Sequence, residues 1–193
     1  MKCDIKSLSV EELQEQFAAW DEPAYRVTQV LDWLYQHRAT KWDEMSNLPR
    51  ALRQKLAEQY TLEVLELVRK QGSRDTTQKF LWKLKDGSFI ESVLIPANPS
   101  LYGEPSDRHT LCVSTQVGCA YGCRFCASGL EGWKRNLAPD EIVEQVLAVE
   151  RENRANAGCG VRRAKCWENQ EPETRNPKPA TRWISNLVIM GMG

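Results

Sequence analysis

Apolar residues recur first at helical spacing. Val10, Leu13, Phe17 and Trp20 fall on one face of an amphipathic stretch, and Ser9 with Glu12 forms a capping-box pattern at its start. A second helix is predicted after Pro23, with Val27, Val30, Leu31 and Leu34 in line. A third follows Pro49, with Leu52, Leu56 and Tyr60 in line. Such stripes ordinarily make a core, so these three short helices predict one compact module.

The period changes near residue 78. Phe80, Trp82 and Leu84 alternate with polar or smaller residues, Asp86-Gly87 reads as a two-residue hairpin turn, and a return strand runs to Pro96. Along it Phe89, Glu91, Val93 and Ile95 share a face, which sets a carboxylate among apolar neighbours. A desolvated Glu91 there would suit proton acceptance, whereas an exposed edge glutamate is an ordinary anion. Residues 111–115 predict another strand, and 139–147 an amphipathic helix with Ile142, Val143, Val146 and Leu147 facing inward. Residues 153–183 are rich in Asn, Gly, Pro, Arg and Lys and read as a surface insertion before an apolar strand at 184–190. The chain is therefore expected to be α/β in two parts: a helical domain over 1–75, and a strand-rich region over 76–193 that carries the insertion.

Charge narrows the picture little. Lys and Arg number 26 against 26 Asp and Glu, so no overall basic field marks a nucleic-acid partner. RNA contact would have to come from local groups: Arg50, Arg53 and Lys55, then Lys134 and Arg135, then Arg162, Arg163 and Lys165. Each has an ordinary solvated face as its alternative. No apolar run is long enough to span a membrane, and none follows Met1 as a secretory signal would. With an odd count of seven cysteines, this argues against a disulfide framework and for a reducing, cytoplasmic setting.

Three of those cysteines carry the chemistry. Cys119, Cys123 and Cys126 form a C-x3-C-x2-C pattern with no fourth cysteine nearby. Three thiolates can hold three irons of a [4Fe-4S] cube and leave the fourth open to a substrate. A structural zinc site would want four ligands, and Cys159-x6-Cys166 is spaced more loosely than the short turns that usually clamp zinc. The cluster reading stands ahead, with Cys159 and Cys166 as incidental cysteines of the insertion.

That spacing, with Phe125 just before the last cysteine, resembles the radical S-adenosylmethionine enzymes. The flanks LCVSTQVGC at 111–119 and GWKRNL at 132–137 are similar to those of the RlmN-type dual-specificity rRNA/tRNA adenine C2-methyltransferases. So are YRVTQVLDWLY at 25–35, NLPRALRQKL at 47–56 and ESVLIP at 91–96. The likeness covers most of the chain apart from about 153–183. The sequence ends in IMGMG at 189–193, where the family continues into a Gly-Glu-Pro motif and further strand and helix units. The expectation is a truncated chain without the family's methyl-carrying C-terminal cysteine, unable by itself to complete the reaction.

The resemblance implies a leading RNA-docking domain, whose plain alternative is a packing cap, followed by the start of a partial (β/α) radical-SAM barrel. It implies that Cys119, Cys123 and Cys126 hold the cluster, that the open iron binds S-adenosyl-L-methionine, and that Gly191 and Gly193 let the backbone approach that cofactor. A 5'-deoxyadenosyl radical would take hydrogen from the premethylated cysteine, and the resulting carbon radical would add to adenine C2. Glu91 or Cys112 would assist proton loss, and Cys112 would also close a transient disulfide with the C-terminal cysteine. Read by itself, Cys112 is a small core residue of a strand. The implied partners are 23S rRNA, tRNA and an electron donor such as flavodoxin or ferredoxin, with no membrane, and the complete protein is expected to be a monomer. Two alternatives remain: another radical S-adenosylmethionine enzyme, and an RNA-binding fragment that never loads its cluster.

Overall fold

The computed structural model describes residues 2–72, 77–97, 108–121, 132–157 and 183–189, with side chains up to 153 in the last helix. The described residues divide into two compact units, 2–63 with 151–157 and 64–150 with 183–189, so the first division falls between Glu63 and Val64.

In the leading unit, strand β1 (Cys3–Asp4) pairs in parallel with β2 (Tyr60–Thr61), which ties the start of the chain to the end of the helical module. Helix α1 (Val10–Ala19) opens on the expected capping box, Ser9 accepting from Glu12 N–H and Glu12 accepting from Ser9 N–H. Leu13 and Phe17 are buried, whereas Val10 is exposed, because the first turn projects beyond the core. Helix α2 (Tyr25–Leu31) runs on into a π-helical turn over Asp32–Gln36, where His37 N–H reaches back to the Asp32 carbonyl. Helix α3 (Arg50–Gln59) follows Pro49 and buries Leu52 and Leu56. Tyr60 ends that helix and joins β2. Val27, Val30, Leu34, Met45 and Leu48 complete this core.

The second unit is a five-stranded sheet ordered β3 (Glu66–Gln71), β4 (Gln78–Lys83), β5 (Phe89–Pro96), β6 (His109–Val113) and β9 (Asn186–Ile189). All neighbours are antiparallel except β6 and β9, which are parallel. A parallel pair needs a crossover, and helix α4 (Pro139–Ala157) lies between them in sequence. Strand β3 pairs with β4, so the division expected near residue 75 falls instead at 63/64.

The turn after β4 is also longer than its dipeptide suggested. Gly87 N–H bonds the Leu84 carbonyl, Leu84 N–H bonds the Ser88 carbonyl, and Gly87 sits at φ 82°. This is a three-residue hairpin loop ending in a left-handed residue, which glycine adopts without a Cβ penalty.

The core of this unit lies on the face of Phe80, Trp82, Ile90, Leu94, Leu111 and Val113, packed with Ala148 and Val149 of α4. Strand β5 accordingly buries Ile90, Ser92 and Leu94 and turns Phe89, Glu91, Val93 and Ile95 to the other side. Those four share a face as the alternation predicted, but it is the more open one. In α4 the inward stripe includes Gln145 and Glu144 as well as Leu147, while Ile142, Val143 and Val146 are only partly covered.

Candidate active site

The cysteine segment leaves and re-enters the fold at one point. Beyond β6, strand β7 (Gln116–Gly118) pairs with β8 (Trp133–Asn136), and Cys119 N–H donates to the Gly132 carbonyl at 3.2 Å. The chain therefore leaves β7 and returns into β8 at one closed point. Gly118 has φ +76°, and a β-carbon there would lie 1.9 Å from the Gly132 carbonyl oxygen, so only glycine lets the two backbones meet this closely. Cys119 stands at this neck as a free thiol, 6 % exposed. Cys123 and Cys126 lie outside the described residues, as do Gly191, Gly193, Cys159 and Cys166.

The donor set fits an iron-sulfur cluster on the chemistry of its ligands. A buried, unpaired thiol sits at the closed neck, and the sequence brings two more soft sulfur donors within the next seven residues.

The neck is held from two sides. On one side, Gln145 of α4 is wholly buried and binds polar groups of β5 and of the end of β6. Its Oε1 accepts from Ser92 Oγ and from Ser114 N–H, each at 2.9 Å, and its Nε2 donates to the Ser114 carbonyl at 2.9 Å. Trp82 Nε1 donates to Ser92 Oγ, and Ser114 Oγ donates to the Glu91 carbonyl at 2.7 Å. The network fixes the end of β6 against α4 and β5 just before the chain enters β7, and Leu137 N–H closes the far side onto the Thr115 carbonyl.

On the other side, Arg135 of β8 donates through Nε to Asp86 and through both terminal nitrogens to Glu141, at 2.7–2.8 Å. This corrects its standing as an RNA candidate, since its fork is committed to carboxylates of its own fold. Hydrogen bonds from Ser88 and Arg135 hold the Asp86 carboxyl below its ordinary value. At Glu141 burial pushes the carboxyl up, but hydrogen bonds from Arg135 and from Ala138 N–H outweigh it and leave it lowered. The two acids in turn hold the guanidinium's proton more tightly than usual.

Glu91 and Cys112 face the same open side of the sheet. Val93 faces Cys112 across the β5–β6 ladder, and Glu91 lies two residues along β5 on the same side. Cys112 is partly covered, and burial pushes its thiol up. The expectation of a desolvated Glu91 is not met: its side chain is 35 % exposed and paired with Lys79 Nζ at 2.6 Å. The reason is the choice of faces, since α4 covers the even-numbered side of β5 and leaves this one open.

Lys79 escaped sequence reading, although the signal existed. Phe80 and Trp82 point inward, so Lys79 must point outward, and the hairpin register sets it opposite Val93 and diagonal to Glu91. Gln145 was missed because a polar residue on an apolar stripe carries no periodic signature. Of the remaining basic candidates, Arg53 pairs with Asp43, and Lys55 lies over the Trp20 ring.

The sheet and the strand-helix-strand crossover among the described residues, with the cysteine segment following β6 in sequence, match a partial radical S-adenosylmethionine fold. A crystal structure titled as a radical SAM methyltransferase from Sphaerobacter thermophilus matches it with a TM-score of 0.68 and 40 % identity, over 80 % of this chain and 43 % of that one. The chain is similar to the RlmN family over most of its length. Residues 3–62 match the family model described as the ribosomal RNA large subunit methyltransferase N-terminal domain. A probable dual-specificity RNA methyltransferase RlmN of Akkermansia muciniphila is 56 % identical over 88 % of this chain, and an Anaeromyxobacter RlmN is 44 % identical over 98 %. The chain spans 40 % and 43 % of the lengths of these two relatives.

Proposed function

We propose that this chain is the cluster-bearing portion of a radical S-adenosylmethionine methyltransferase acting on C2 of adenine in 23S rRNA and tRNA. The observation that carries the reading is the closed neck: Cys119 buried at the Gly118–Gly132 contact, with Cys123 and Cys126 four and seven residues further on. When bound, a [4Fe-4S] cluster would supply the electron for reductive cleavage of S-adenosyl-L-methionine. Cys119, Cys123 and Cys126 would hold that cluster, and Gly191 and Gly193 would let the backbone approach the cofactor.

The open sheet face supplies the proton chemistry. Glu91 accepts the proton released at the methylated carbon, with Lys79 orienting its carboxylate, and Cys112 serves as the thiol of the same face. An electron donor such as flavodoxin or ferredoxin would reduce the cluster, in a cytoplasmic setting, and the complete protein would act as a monomer. The leading unit would dock RNA.

Anaerobic reconstitution of the chain with iron and sulfide tests the reading, alongside a variant with Cys119, Cys123 and Cys126 all changed to Ala. The expected result is about four irons per chain with cluster absorption, lost in the variant. Zinc in place of iron, or no iron at all, sinks it.

A further inference from the structure

The ribbon at the neck of the cysteine segment is too slight to hold itself. Its ladder has three residue pairs, Gln116 with Asn136, Val117 with Arg135 and Gly118 with Trp133, and it shifts register between the last two. An isolated two-stranded ribbon of this kind is marginal in water. Something outside the ribbon must fix where the neck closes.

Arg135 has the geometry for it. Its guanidinium meets two acids that each already order a local structure. Asp86 accepts Ser88 N–H through Oδ1, which sets the β4–β5 turn, and takes Arg135 Nε through Oδ2 at 2.8 Å. Glu141 accepts Ala138 N–H through Oε2, which caps the start of α4, and takes the two terminal nitrogens of Arg135 with its two oxygens. Arg135 also donates to the Asn136 carbonyl of its own strand at 3.1 Å. One planar fork thus joins a hairpin turn, a helix N-terminus and strand β8. A lysine, whose three donors radiate from one nitrogen rather than from a planar fork, cannot span all three.

We propose that Arg135 is a positioning residue for the neck of the cysteine segment: it latches β8 to the β4–β5 turn and to α4, and so fixes where Cys119, one of the three thiols proposed to hold iron, stands. The iron-dependent half of this inference rests on the cluster reading above, whereas the latch itself does not.

The experiment measures amide hydrogen exchange and iron retention on the whole chain for wild type, Arg135→Ala, Arg135→Lys and Asp86→Asn. In the metal-free chain, exchange at the Cys119 and Leu137 amides, which close the neck, is expected to speed up roughly tenfold in both Arg135 variants. Amides of β4, β5 and the leading unit should keep their wild-type rates. Asp86→Asn keeps an acceptor for the turn but loses the charge, so it should speed the same two amides less and add nothing to Arg135→Ala. In the reconstituted chain, iron loss to a chelator should accelerate by roughly tenfold in both Arg135 variants.

Unchanged exchange at Cys119 and Leu137 overturns the proposal, and so does full rescue by lysine or a loss of protection spread through β4 and β5. Faster exchange with unaltered iron loss overturns its role toward the cluster. A wild-type chain that takes up no iron counts against the cluster reading alone, and the amides still decide the latch.

Discussion

Gly118 is the position where a single methyl group decides local structure. Its positive φ already disfavours any side chain, and the 1.9 Å approach to the Gly132 carbonyl oxygen is to backbone, which cannot swing aside. Gly118→Ala is expected to cost about 2–3 kcal/mol, combining backbone strain with a forced opening of the neck. Urea unfolding followed by tryptophan fluorescence would read it, and a loss below about 0.5 kcal/mol would mean that the two strands part without consequence. None of this was legible beforehand, because the glycine before Cys119 gains its meaning only from Gly132, fourteen residues on. The spacing singled out the three cysteines, of which Cys119 lies among the described residues. The environment of Glu91 was not, because period-two alternation says which residues share a face and leaves open which face a helix will cover.

Among the elements, those with strong local rules were read correctly. The Ser9 capping box, the starts of α2 and α3 after prolines, and the strand pair around Asp86-Gly87 all follow from contacts within a few residues. Helix α4 was read only in part, since its deepest residue is a glutamine whose partners come from β5 and from the end of β6. Gln145→Leu preserves the bulk and removes the partner of Ser92 Oγ and both partners at Ser114. Each buried polar group left unpaired costs about 1–3 kcal/mol, so a total loss of roughly 3 kcal/mol is expected. Chemical denaturation measures the loss, and Gln145→Glu serves as a second variant that keeps the acceptor but not the donor. A neutral Gln145→Leu would show that β6 is held in place by packing alone.

At the scale of the whole molecule, the two parts carry separate cores, and their existence was legible from the switch between helical and strand periods. The boundary was not, because β3 has alternation too weak to separate it from the helical module: its burial pattern has no fully buried residue. The balanced overall charge also hides a local imbalance. Residues 2–63 hold eight Lys and Arg against eleven Asp and Glu, so the proposed RNA-docking unit is acidic. Its attraction for RNA must therefore be local. A groove of about 440 Å³ in this unit brings Lys41, Trp42, Arg50 and Arg53 to one place, and Arg53 there is already paired with Asp43. A docking site of this size neutralises few phosphates, so binding of a tRNA to the leading unit should weaken with salt at a log–log slope of only about −2. Arg50→Glu should abolish that binding while leaving the helical circular dichroism unchanged. A slope several times steeper, or binding indifferent to Arg50, would move the RNA contact out of this groove, because an acidic unit has no diffuse positive field to fall back on.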